Sequence, residues 1–146
     1  MNIKEGVFDM TTEEYLIARK SKNWKFNSVV SPTAFKNVNR IHPIKQKVVK
    51  DIVDVAKNDK TVRRIIIFGS STRYDCDVTS DLDICIDWIE RCYDEDGILK
   101  PFTNNMRKSI SIITKGHADV VNYDYLDDTV VEAGVMEGVI VYEYNV

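Results

Sequence analysis

Three aspartates and a Gly-Ser pair are the residues of this sequence whose types and spacing fit a single piece of chemistry. Asp81-Leu82-Asp83-Ile84-Cys85-Ile86-Asp87 alternates polar and apolar residues with the period of a strand, so Asp81 and Asp83 share one face. Alternate strand residues lie roughly 6.5 Å apart with parallel side chains, which suits carboxylates sharing one or two Mg²⁺ ions about 3.5 to 4 Å apart. Hard oxygen ligands select Mg²⁺ over zinc. Upstream, Ile65-Ile66-Ile67-Phe68 runs into Gly69-Ser70, and ten residues separate Ser70 from Asp81. Gly69 lets backbone approach a ligand closely, and a turn or short helix beginning at Ser70 would aim N–H groups and a hydroxyl at phosphate oxygens. Asp119 offers a third carboxylate. A phosphate cradle facing carboxylates implies in-line attack by a hydroxyl on the α-phosphate of a nucleoside triphosphate. Pyrophosphate is expelled, and Asp119 serves as metal ligand or base.

The elements that must position these groups are legible from periodicity. Pro43 opens a helix to about Asn58, with Ile44, Val48, Ile52 and Val55 at helical spacing. Val62–Phe68 reads as a buried strand closed by Gly69, and Asp81–Asp87 as the second strand. The link between them is too short for a parallel crossover, so neighbouring strands run antiparallel and Ser70 comes near Asp81 and Asp83. Cys92 to Pro101 is an exposed loop. Thr103 then caps a helix carrying Met106, Ile110 and Ile113, which stops at Gly116. Ala118–Tyr123 is a third strand. Its long, helix-containing link lets it run parallel to the second, with Asp119 near its start and facing Asp81 and Asp83. A helix over Asp128–Glu137 and a strand over Val139–Tyr142 complete a domain over 43–146. Residues 1–42 form an N-terminal extension packed on it. Within that extension Thr11 and Glu14 form a capping box for a short helix to Lys20.

Composition narrows the class. The chain has 146 residues, 44% of them apolar, enough for one domain with a real core. No apolar run approaches the roughly 18 residues that span a bilayer, and no signal peptide is evident, so a cytoplasmic protein without a membrane partner is expected. The three cysteines, Cys76, Cys85 and Cys92, are odd in number and lack zinc spacing. A net charge of -3 provides no basic field, so nucleic acid is a poor candidate partner.

With Gly69-Ser70, ten residues and Asp81-Leu82-Asp83 in place after a hydrophobic strand, the chain resembles the nucleotidyltransferase superfamily that includes DNA polymerase β. It is most similar to the minimal nucleotidyltransferase branch. Ser80-Asp81-Leu82-Asp83-Ile84 matches that family's usual wording, and Arg73 stands where the branch commonly has arginine, although Tyr74 replaces the glycine that often follows. The likeness continues through Ala118-Asp119-Val120-Val121, Tyr123-Asp124-Tyr125-Leu126 and Glu137-Gly138-Val139-Ile140-Val141-Tyr142, spanning about residues 62–143. It implies an α/β (α+β) fold, a mixed β-sheet with helices mainly on one face. It also implies Asp81, Asp83 and Asp119 as catalytic metal ligands, Gly69, Ser70 and Arg73 as nucleotide-binding residues, and Mg²⁺ with ATP or another triphosphate.

Family members of this size resemble antitoxins that transfer AMP to a HEPN-type toxin, so a hydroxyl of such a partner is the expected acceptor. The alternatives are a small-molecule, aminoglycoside-like transferase, working as a homo-oligomer whose neighbouring subunit completes the acceptor pocket, or a catalytically inactive binding module of the same fold. Arg73 suits either a phosphate clamp or an ion pair that holds its loop. The bland readings give His117 a structural role, Asp87 a solvated position, Asp75 and Asp77 a loop, and Cys85 a place as a small apolar packer.

Overall fold

The computed structural model describes residue 13 and residues 25–144. Apart from Glu13, the helix expected over Thr11–Lys20 lies outside the described residues. Helix α1 spans Pro43–Ala56. Pro43 has no N–H to leave unsatisfied in the first turn, and the His42 side chain accepts a hydrogen bond from the Ile44 N–H at 3.2 Å. Val49, Ile52, Val53 and Ala56 make its buried stripe.

Strand β1, Val62–Phe68, is the Ile-rich centre of a four-stranded sheet. It pairs antiparallel with β2, Leu82–Trp88, and on its other side with β4, Val139–Glu143. Strand β3, Ala118–Asn122, pairs parallel with β2, giving the order β3-β2-β1-β4. Helix α2, Asn104–Thr114, is the crossover that a parallel β2–β3 pair requires. Helix α3, Thr129–Met136, is capped by Asp128, whose carboxylate accepts from the N–H groups of Val130 and Val131 at 2.8 and 3.2 Å.

Alternation along the strands divides the core. Ile65, Ile67, Leu82, Ile84, Ile86, Val139 and Val141 form one face, packed with the buried residues of α1 and α2. Ile66, Phe68 and Cys85 form the other with Val135 of α3. The chain is therefore a mixed α/β domain with its two longer helices on one face of a mixed sheet, the architecture the sequence implies. No described helix is long and apolar enough to cross a membrane.

Preceding α1, residues 26–41 contribute Phe26, Phe35, Val38 and Ile41 to the buried set. Gln46 ties this segment down from within α1. Its amide donates to the carbonyls of Asn27 and Ile41, both at 2.9 Å, and accepts from the Val29 N–H at 2.7 Å. A buried glutamine is tolerated because every polar atom finds a backbone partner.

Two local expectations need correction. Thr103 precedes α2, but its hydroxyl donates to the Lys100 carbonyl at 2.8 Å within a 3-10 turn over Pro101–Thr103, so α2 has no side-chain cap. Asp87 is not solvated: it is 4% exposed and paired with Arg64, its cross-strand neighbour, Nε to Oδ2 3.0 Å. The Arg64 guanidinium in turn lies over the Tyr123 ring, 4.7 Å from its centroid. Period-two alternation identifies a face of a strand, not what covers it.

Candidate active site

Strand β1 ends at Phe68, and the chain turns at once into a 3-10 turn over Gly69–Thr72. Gly69 has φ +72°, a left-handed conformation that glycine adopts at little cost. There is a second reason for glycine. A Cβ here would run into the Asp83 carboxylate, with Asp83 Cγ at 3.2 Å and its Oδ2 nearer still. The turn is braced by Thr72, whose hydroxyl donates to the Gly69 carbonyl at 2.8 Å, and by the Arg73 N–H, which donates to the Ser70 carbonyl at 2.9 Å. Ser70 is half-buried, whereas Ser71 is buried and its carbonyl accepts from the His42 N–H at 2.8 Å. The cradle is thus docked on the start of α1.

Asp83 pairs with Phe68 across β1–β2 and with Asp119 across β2–β3. Directly opposed residues of neighbouring strands project from the same face, and the strands lie about 4.8 Å apart. Asp83 and Asp119 are therefore adjacent carboxylates beside the Gly69 turn. Asp81 stands one residue ahead of β2, exposed, with its Oδ1 3.6 Å from Nδ1 of His117. Burial pushes the Asp83 carboxyl above its ordinary range, and the negative charges of Asp119 and Asp81 push it further, opposed by the Arg73 cation. One field therefore contains all three carboxylates and Arg73. Among the described residues, no three acidic, histidine or cysteine side chains stand close enough to hold an ion as they are.

Set beside known proteins, the chain matches the polymerase beta nucleotidyltransferase domain over residues 50–146, more than half its length. The chain belongs to the polymerase β-type nucleotidyltransferase family. Comparison with the curated proteins found no match. Membership explains the conjunction of a strand, a Gly-Ser turn and an Asp-x-Asp strand beside it, and assigns the domain to nucleotidyl transfer in general.

In this nucleotidyltransferase domain Arg73 also pairs with Asp75, Nε to Oδ1 3.5 Å, while its charge reaches Asp83. Of the two arrangements foreseen for it, the ion pair with a loop carboxylate is the one present in the fold. Cys85, on the same strand face as Asp83, has its thiol pushed up to about 12 by burial, and is a packing residue without nucleophilic character. Two further side chains meet this edge: His117, given a structural role from the sequence, and Lys45, which the sequence did not single out. His117 reaches Asp81 because it ends the β3 approach, and the Lys45 ammonium donates to the Ser80 carbonyl from the first turn of α1. Lys45 has no local signal, because its contact joins segments distant in sequence.

Proposed function

We propose that this domain transfers a nucleoside monophosphate, AMP from ATP, to a hydroxyl of a protein partner of the HEPN type. The observation that carries the reading is the register pair Asp83–Asp119 beside a glycine that has no room for a side chain. Burial first, and then the charges of Asp119 and Asp81, make Asp83 resist ionisation against the opposing Arg73 cation, so added positive charge would be favoured here. All-oxygen donors of this kind fit Mg²⁺. In this reading Asp81, Asp83 and Asp119 hold the ion or ions, which supply Lewis-acid stabilisation of charge at the α-phosphate and the leaving pyrophosphate.

The chain's own groups do the rest. The backbone at Gly69 and Ser70, with the Ser70 hydroxyl, holds the triphosphate, and Arg73 neutralises its charge. The acceptor oxygen forms a bond to the α-phosphorus as the α–β anhydride bond breaks, and pyrophosphate departs. The hydroxyl proton passes to Asp119, the exposed carboxylate of β3. Incubation with Mg²⁺, α-labelled ATP and a HEPN-type protein tests this. Label should appear on the partner, and γ-label should not. Absence of transfer from every common triphosphate would sink the enzyme reading. Partner neutralisation that survived Asp81→Asn with Asp83→Asn would favour an inactive binding module instead.

A further inference from the structure

A cleft of about 430 Å³ lies between the first turns of α1, the segment 78–82 and the end of α2, on the other side of the β2–β3 edge from Asp83. Ile44, Val48, Leu82 and Ile113 make its floor, and Val78, 82% exposed, projects at the rim. Lys45, Lys115 and His117 line it, and no carboxylate does. In a chain whose net charge is -3, this is a local reversal of sign. The cleft is continuous with the carboxylate edge: Ser80 and His117 belong to its wall, Ser80 precedes Asp81, and His117 touches Asp81.

We propose that this cleft is the docking site of the acceptor, and that its occupant is an acidic peptide segment carrying an apolar side chain, which presents a hydroxyl over the His117 rim. The proposal rests on the nucleotidyl-transfer reading above. Charge decides among acceptors. A polycationic aminoglycoside would face two lysines with no lining carboxylate to pair with, so it is the wrong ligand. Single-stranded nucleic acid is recognised by stacking on aromatic rings, and the lining holds no Phe, Tyr or Trp. Apolar floor with basic rim is complementary to a peptide in which hydrophobic and acidic residues are interspersed.

The test uses the full chain with isotope-labelled Ile and Val methyl groups. The probes are a peptide of glutamates around a Leu-Tyr centre, the same peptide with lysine for glutamate, a single-stranded RNA oligonucleotide and an aminoglycoside. The acidic peptide should shift the methyl signals of Ile44, Val48 and Ile113, and the other three should not. Lys115→Glu and Val78→Asp, both at exposed positions, should each weaken that binding by roughly tenfold or more, since one juxtaposes like charges and the other removes apolar contact. Mg-ATP binding measured by calorimetry should be the same in both variants as in the parent chain. The proposal is overturned if the acidic peptide moves none of these signals, if the lysine peptide, RNA or aminoglycoside moves them as strongly, or if both variants bind like the parent. Loss of Mg-ATP binding in the parent would instead sink the nucleotidyl-transfer reading. Peptide docking without nucleotide binding would leave a peptide site and remove its role as acceptor site.

Discussion

Replacing Gly69 with alanine separates the two reasons for glycine at the head of the cradle. At φ +72° an alanine carries the left-handed penalty, about 1 to 2 kcal/mol. The added Cβ also displaces the Asp83 carboxylate, the far end of a short side chain that can rotate away. Rotation is cheap for stability and, in the proposed reading, costly for function, because it moves a carboxylate assigned to the metal, and a misplacement of about 1 Å in a reacting assembly can cost about 100-fold in rate. Gly116 provides the control: it has φ +82°, and a Cβ there would meet nothing within 4 Å. Gly69→Ala and Gly116→Ala should therefore lose similar stability, roughly 3 to 8 °C in Tm by circular dichroism. Only Gly69→Ala should lose Mg-ATP binding by calorimetry and nucleotidyl transfer, the latter by about 100-fold. Parent-like nucleotide binding in Gly69→Ala, or an equal functional loss in Gly116→Ala, would refute the assignment of Gly69 to the site.

Further expectations follow from the same geometry. Asp83→Asn removes a half-buried charge crowded by Asp119 and Asp81, so the metal-free protein should melt higher than the parent while Mg-ATP binding disappears, both read in one thermal-shift series with and without ligand. The raised Asp83 carboxyl also sets a pH dependence. A folded-state value above the ordinary 3.8 makes its contribution most favourable below the unfolded value, and that advantage fades as pH rises through the folded value. The Mg²⁺-induced rise in Tm should accordingly grow across that window and level off above it, and a Tm shift independent of pH would contradict the crowding. Arg64→Ala leaves the Asp87 carboxylate buried without its partner. Urea denaturation should show a loss of about 3 kcal/mol, largely recovered in Arg64→Met with Asp87→Leu, because replacing both charges leaves no unpaired ion.

Much of the site was readable along the chain because its information is local. Gly69-Ser70 closes an apolar run, and the polar-apolar alternation of Asp81–Asp87 sets which side chains share a face whatever surrounds the strand. The ten residues between Ser70 and Asp81 and the longer link before Asp119 determine an antiparallel and then a parallel neighbour, the order found in β1, β2 and β3. Asp128 was equally legible as the start of α3, since a cap acts on N–H groups two and three residues on.

Tertiary structure alone decided the rest. Whether Asp83 faces Asp119 or a neighbour along β3 depends on a register that periodicity leaves free by steps of two. Asp87 lies on the strand face foreseen for it, yet it is buried, because Arg64 from β1 pairs with it beneath Tyr123. Thr103 has the residue type of a cap but spends its hydroxyl on Lys100, a choice set by the turn before it. Lys45 and His117 reach the carboxylate edge only because α1 and the end of α2 pack against that end of the sheet. Covalent neighbours and spacing determine what a segment can present, whereas the partner of a charge is determined by segments that meet only in the folded chain.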